Sequence, residues 1–143
     1  MSNIWKDIRE NNDIKDILDK YSYFHDSCIG HIEYVSGAKV DKEDNMGCED
    51  SESFKLNITF QSQIIKKSLE MQFSGLRRIN LIGYRENYFC DIFSCYLALY
   101  KGYIIWADND CFNPDSPCEN VLLDEDMASF IVADSLRWRF IDG

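Results

Sequence analysis

A chain of 143 residues is long enough for one domain with its own core and too short for two of ordinary size, so we expect residues 1–143 to form a single domain. Hydrophobic residues make up 45% of it and aromatic residues 14%, a composition typical of folded proteins and not of disordered ones. The formal net charge of -10 argues against nucleic acid or an anionic membrane as the main partner, because both are polyanions.

The chain shows no signal for export or membrane insertion. Residues 1–7 lack the basic start, apolar stretch and cleavage site of a secretory signal, and no run of about 18 apolar residues occurs. We therefore expect a cytoplasmic protein whose six cysteines are reduced. The closest cysteine pairs, Cys90 with Cys95 and Cys111 with Cys118, do not have the spacing usual for zinc ligands, and the sequence gives no reason to expect any cofactor.

The first twenty residues have the apolar periodicity of a helix. Ile4, Trp5 and Ile8 lie at helical spacing, and the pattern resumes with a change of phase at residues 11–13. Asn12 is a suitable N-cap for a second segment, because its side-chain oxygen can accept a hydrogen bond from a first-turn N–H. We predict two short helices or one kinked helix.

After Tyr21 the apolar period changes to two, which indicates strands. The predicted strands cover residues 27–36, 54–61, 69–74, 93–100, 103–107, 130–133 and 136–141, while 79–83 fits either a strand or a helical turn. Gly75 should end or bend the third strand, and Lys101-Gly102 should form a tight hairpin because glycine adopts positive φ. These elements predict an α+β fold, mainly an antiparallel β-sheet with the N-terminal helix, or kinked helix pair, packed on one face.

Two acidic segments, residues 41–52 and 108–126, interrupt the strand pattern. The second contains both prolines, no basic residue and seven acidic residues: Asp108, Asp110, Asp115, Glu119, Asp124, Glu125 and Asp126. Asp108, Asp110 and Glu119 match the first, third and twelfth positions of an EF-hand calcium loop, but Asn113 stands where that loop requires glycine. We favour a solvated acidic loop, and a weaker cation site of another kind stays open.

The tetrapeptide Phe24-His25-Asp26-Ser27 contains residue types that hydrolases use in catalytic triads. Adjacent residues of an extended chain point to opposite faces, so we expect His25 and Asp26 to diverge. In the interpretation we favour, Asp26 and Ser27 bond backbone N–H groups at a turn into a strand, and Phe24 docks in the core. In the alternative, His25 and Asp26 serve a pocket between helix and sheet in a small ligand-binding domain or enzyme.

Arg77, Arg78 and Arg85 are the main concentration of positive charge. They could bind an anion at a strand end, but we favour pairing with carboxylates of the domain's own surface. The common sequence motifs of nucleotide binding, ester hydrolysis and zinc proteolysis are absent. The sequence therefore favours a protein without catalytic activity.

Three short elements resemble a loose group of small bacterial proteins. An FHDS-type element at residues 24–27 follows a helix with a tryptophan, a Phe-x-Gly-hydrophobic element lies at residues 73–76, and a strand of sequence ADSLRWRF lies at residues 133–140. Some members of the group are similar to immunity proteins that neutralise toxins delivered between bacteria. The resemblance implies binding without catalysis, and both acidic segments lie outside it.

The acidic charge and the resemblance lead to one working hypothesis, a non-catalytic binding protein such as an immunity protein. Nuclease toxins are often basic because they hold polyanions, and an acidic inhibitor would associate with them quickly. The seven acidic residues of 108–126 are the candidate contacts to such a basic protein partner. A homodimer formed by edge-strand pairing also stays open.

Overall fold

The computed structural model describes residues 4–48, 54–84, 86, 90–116 and 128–141. In these ranges one α-helix, α1, spans Asn11–Lys20, and a 3-10 helix spans Ser22–Phe24. The strands are β1 (Lys6–Ile8), β2 (Ser27–Val35), β3 (Ala38–Val40), β4 (Met46–Cys48), β5 (Lys55–Ser62), β6 (Ser68–Asn80), β7 (Tyr96–Tyr100), β8 (Tyr103–Ala107) and β9 (Phe130–Ile141).

Seven strands form one antiparallel sheet in the order β2-β5-β6-β9-β8-β7, with β1 paired to β9 beyond the end of β8. An isolated bridge between Ser27 and Ile92 connects the start of β2 to the segment before β7, so the curved sheet brings its two edge regions together. Strands β3 and β4 form a separate hairpin. The predicted α+β fold with a mainly antiparallel sheet is confirmed.

The core fills the inner face of the sheet, where α1 and the 3-10 helix pack. Ile17, Tyr21 and Phe24 are fully buried there. The ring of Phe24 lies 5.0 Å from that of Phe60 and 5.9 Å from that of Trp106, and such aromatic contacts stabilise a core beyond their buried area. The alternation that predicts β5 and the first half of β6 also identifies their buried side chains correctly.

The N-terminal segment differs from the prediction. Residues 6–8 form β1 against residues 136–138 of β9, so the prediction of helix from Ile4 to Ile8 is wrong. The helix begins at Asn11, and its N-cap is Glu10 rather than Asn12. The carboxylate of Asp13 accepts the backbone N–H of Glu10 at 3.1 Å, as in a capping box, in which the third helical residue bonds back to the N-cap.

Strand β6 bends at Gly75 and does not end there. Gly75 has a φ of +64°, and the register against β9 shifts between Leu76 and Arg78. Residues 79–80 therefore belong to the same strand, and the two predicted C-terminal strands are the single strand β9. The predicted hairpin is confirmed, since Lys101 and Gly102 both have positive φ between β7 and β8. Part of the first acidic segment forms the turn and second strand of the β3–β4 hairpin.

Candidate functional site

Residues 24–27 form the turn from the 3-10 helix into β2. Phe24 is buried as predicted. The Ser27 hydroxyl is buried and donates a hydrogen bond to the carbonyl oxygen of Phe24 at 2.6 Å, so its partner is a C=O and not the predicted N–H. The backbone N–H of Asp26 donates to the carbonyl of Ile92 at 2.9 Å. The turn therefore has a structural role, because it fastens the start of β2 to the segment before β7.

His25 and Asp26 do not diverge as predicted. Asp26 has a φ of +58°, which turns the chain and leaves Nε2 of His25 3.4 Å from Oδ2 of Asp26. Nδ1 of His25 donates to the carbonyl of Phe93 at 2.7 Å. The buried Ser27 hydroxyl already has Phe24 as its partner, so these three residues do not have the geometry of a triad, in which the base must reach the nucleophile.

The described part of the second acidic segment, residues 108–116, folds back onto the outer face of the sheet. Phe112 packs against Phe130 at a ring distance of 5.1 Å and against Tyr96 at 5.5 Å, in a second small core. The side-chain oxygens of Asn109 and Asn113 each accept a backbone N–H two residues ahead, at 2.8 and 3.0 Å. These turns and the Phe112 anchor hold the loop in place.

The predicted contact residues of this loop differ in their surroundings. Asp108 is partly buried; its carboxylate accepts the N–H of Ser129 at 2.9 Å, and burial raises the pKa of this carboxyl. Asp110 and Asp115 are exposed, and Asp115 accepts a hydrogen bond from the Tyr100 hydroxyl. Asp108 therefore links the ends of β8 and β9, while Asp110 and Asp115 remain accessible. The other four predicted contacts, Glu119, Asp124, Glu125 and Asp126, lie outside the described residues.

A groove of about 380 Å³ lies beside the acidic loop on the outer face of the sheet. Phe112, Phe130 and Val132 contribute apolar surface, while Arg78 and Lys101 contribute positive charge. We call this cavity the aromatic groove. It is on the opposite side of the sheet from α1, so it is not the predicted pocket between helix and sheet, and neither His25 nor Asp26 lines it.

Arg77 pairs with a surface carboxylate, as the interpretation we favour expects. Its Nε and one terminal nitrogen lie 2.9 and 3.2 Å from the two carboxylate oxygens of Asp134. Asp134 also lies over Gly75, where an added Cβ would come within 2.8 Å of the Asp134 Cβ. Arg78 lines the aromatic groove, and Arg85 lies outside the described residues.

Sequence analysis missed a group of polar side chains on the outer face of the central strands. Arg137 and Arg139 stack on the ring of Trp5, with guanidinium carbons 4.4 and 4.2 Å from its centre. Their Nε atoms donate to Gln72 and Glu70, each at 2.7 Å. The alternation in residues 136–141 indicated that both arginines face away from the core, but their neighbours depend on strand order.

The described cysteines, Cys28, Cys48, Cys90, Cys95 and Cys111, are free thiols. Burial raises the pKa of Cys95 to about 12. Burial also raises the pKa of Cys28, with a further contribution from neighbouring Cys90. High thiol pKa values make both cysteines weak nucleophiles at neutral pH.

Comparison with protein-family models, with curated proteins and with solved structures found no match for this chain. Within the described ranges, no three His, Cys, Asp or Glu side chains are grouped as a metal site would require. The helices found in those ranges are not long and apolar enough to cross a membrane.

Proposed function

We propose that this protein is a non-catalytic, acidic, cytoplasmic binding protein whose partner is a basic protein, in its most concrete form an immunity protein against a basic toxin. The observation that carries the proposal is the acidic loop at residues 108–116. Phe112 anchors this loop to the sheet, and Asp110 and Asp115 remain exposed on it.

An anchored loop suits protein recognition because it has less conformational freedom to lose on binding than a flexible one. The carboxylates of Asp110 and Asp115 can then meet basic side chains without rearrangement of the loop. The net charge of -10 adds a long-range attraction that speeds the encounter with a basic partner. The buried, hydrogen-bonded hydroxyl of Ser27 supports a role without catalysis, since it removes the nucleophile from residues 24–27.

The test uses a loop variant, Asp110→Lys with Asp115→Lys, and a matched control, Glu33→Lys with Glu43→Lys. Both pairs are exposed and both change the net charge equally, but the control residues lie on β2 and in the β3–β4 turn. Each protein and the wild type is used to capture partners from host lysate at low ionic strength. A basic protein that the wild type and the control retain, and that the loop variant loses, is the expected partner.

Association rates with the purified partner then test the mechanism. We expect the loop variant to associate about tenfold more slowly than the control and with a weaker salt dependence. Equal rates for the two double variants would show that the loop is not the interface. A wild-type bait that retains no basic protein while the toxin is being expressed would contradict the proposed partner class.

The aromatic groove favours a second candidate function, a domain that binds a small organic anion. Its volume of about 380 Å³ lies within the usual range for ligand sites, and it combines apolar surface with Arg78 and Lys101. Thermal unfolding with 4-phenylbutyrate and with its uncharged amide tests this function. Stabilisation by the carboxylate alone, lost in Arg78→Gln, would support it; equal effects of the two compounds would contradict it.

A further inference from the structure

Strand register places polar side chains from three strands together on the outer face of the sheet. Lys55 of β5 lies opposite Ser74 of β6, and Ser74 lies opposite Ser135 of β9. In the next row, Gln72 lies opposite Arg137. Because side chains two residues apart on a strand share a face, all five side chains lie on the same side of the sheet.

These side chains line a cavity of about 270 Å³ that is separate from the aromatic groove. Residues 7–9, at the end of β1, form its remaining wall. We call it the polar cavity. At about 30 Å³ per water molecule its volume corresponds to about nine waters, so it can hold a tetrahedral anion and part of its hydration shell.

The lining of the polar cavity is positively charged in a strongly acidic chain. Its charged residues are Asp7, Arg9, Lys55 and Arg137. Arg9 is paired with Asp7 at 3.1 Å, and among the described residues no carboxylate forms an ion pair with Lys55 or Arg137.

Several hydrogen-bond donors of this lining have no partner among the residues that the structure describes. Throughout the described part of the chain, no side-chain hydrogen bond or ion pair involves Lys55, Ser74 or Ser135. Arg137 uses Nε for Gln72, and its terminal nitrogens make no hydrogen bond to the described residues. These free donors belong to residues on three adjacent strands that line one cavity.

Arg137 is held in place before any ligand arrives. Its Nε donates to Gln72 at 2.7 Å, and its guanidinium carbon lies 4.4 Å from the ring centre of Trp5. On the same ring, Arg139 is fixed by Glu70. The hydrogen bond at Nε and the stacking on Trp5 leave the terminal nitrogens of the guanidinium free. The group can therefore bind two oxygens of an anion without a further loss of side-chain freedom.

We infer that the polar cavity binds a tetrahedral oxyanion, a phosphate or sulfate group, through Lys55, Arg137 and the hydroxyls of Ser74 and Ser135. A tetrahedral anion presents acceptor oxygens in several directions, which suits donors from three strands better than a planar carboxylate does. This inference is independent of the proposed protein partner, because the cavity is formed by β1, β5, β6 and β9 without the acidic loop.

Titration with inorganic phosphate, at physiological salt with chloride as the background anion, tests the inference. Backbone amide NMR shifts of residues 55, 74, 135 and 137 should change together and saturate. Tryptophan fluorescence should change in parallel, since Trp5 is partly exposed and contacts Arg137, whereas Trp106 and Trp138 are buried in the core. Phenyl phosphate in a parallel titration separates a free ion from a phosphate ester as the ligand.

The key variant is Lys55→Met, and its matched control is Lys66→Met at an exposed position outside the strands. We expect the key variant to weaken phosphate binding about tenfold, as loss of a charge-assisted hydrogen bond would, and the control to bind like the wild type. Arg137→Lys keeps the charge without the planar guanidinium and should also weaken binding. Thermal unfolding verifies that each variant is folded.

Three results would overturn the inference: shifts that do not saturate, shifts spread over the surface, and equal weakening by the Lys55 and Lys66 variants. Each would indicate general charge attraction in place of a site. Saturable binding that is weakened only in the Lys55 and Arg137 variants would support it. Tighter binding of phenyl phosphate than of phosphate would then identify an ester as the preferred ligand, and equal or weaker binding would identify the free ion.

Discussion

Replacing Gly75 with alanine should destabilise the protein through two separate effects. The first is the cost of a left-handed backbone, because Gly75 has a φ of +64° and alanine loses about 1–2 kcal/mol in that region. The second is steric. The new Cβ would lie 2.7 Å from Cγ and 2.8 Å from Cβ of Asp134, closer than real Cβ contacts, so Asp134 would have to move.

Movement of Asp134 would break its two contacts with Arg77. That pair is largely exposed, so its loss contributes less than about 1 kcal/mol. The lost ion pair, the backbone cost and the displacement of β9 next to Gly75 add up. We therefore expect Gly75→Ala to lower the free energy of unfolding by about 2–4 kcal/mol. In a chain of this size that corresponds to a decrease in Tm of several degrees.

Urea unfolding followed by tryptophan fluorescence measures this loss, and two other glycines supply the controls. Gly102→Ala carries the backbone cost alone, because Gly102 has positive φ but no atom lies within 4 Å of its added Cβ. Gly47→Ala carries neither cost. If Gly75→Ala costs no more than Gly102→Ala, the steric reasoning is wrong. Adding Asp134→Ala should reduce the cost of Gly75→Ala, since it removes part of the obstacle.

Three further predictions concern the outer face and the core. Burial raises the pKa of Asp108, so the stability that its neutral form contributes is present below the ordinary pKa of 3.8 and is lost as pH rises through the pKa of the folded state. Asp108→Asn should therefore gain stability relative to wild type between pH 4 and pH 7. A difference in urea unfolding that stays constant with pH would contradict burial as the cause. Cys95, with its pKa raised to about 12, should react with iodoacetamide only when the protein unfolds, whereas the exposed Cys48 should react at once. Mass spectrometry follows both reactions, and simultaneous labelling of the two cysteines would refute this prediction. Phe112→Ala should cost about 2–3 kcal/mol and speed protease cleavage of residues 108–116, and unchanged cleavage would show that Phe112 is not the anchor.

Local patterns predicted the parts of the fold that depend on neighbouring residues in the chain. The alternation in residues 54–61 was enough to predict β5 and its buried side, because a strand with one solvent-exposed face and one buried face has apolar residues at every second position. The hairpin at Lys101-Gly102 followed from the backbone freedom of glycine. By contrast, Ile4, Trp5 and Ile8 fit helical spacing, and only the pairing of residues 6–8 with distant β9 makes that segment a strand.

The sites were less predictable because they depend on register and on unusual backbone angles. No pattern in the sequence indicated that Asp26 would take positive φ and bring its carboxylate to His25. Lys55, Ser74 and Ser135 are neighbours only because β5, β6 and β9 are adjacent in one register, and a shift of one residue would move each side chain to the other face. Residues 108–116, the described part of the predicted acidic segment, lie outside the strands, but their attachment through Phe112 required knowledge of β7 and β9.

The central position of β9 has a consequence for synthesis of the protein. β9 is the last strand of the sheet in chain order, yet it joins β6 on one side to β8 and β1 on the other. On the ribosome, the β5–β6 and β7–β8 hairpins can form early, but the sheet cannot unite them until residues 130–141 have emerged. Until then the two hairpins have no strand between them, and β1 must wait for a partner more than a hundred residues away. A nascent chain of this protein therefore cannot complete its central sheet until β9 has been synthesised.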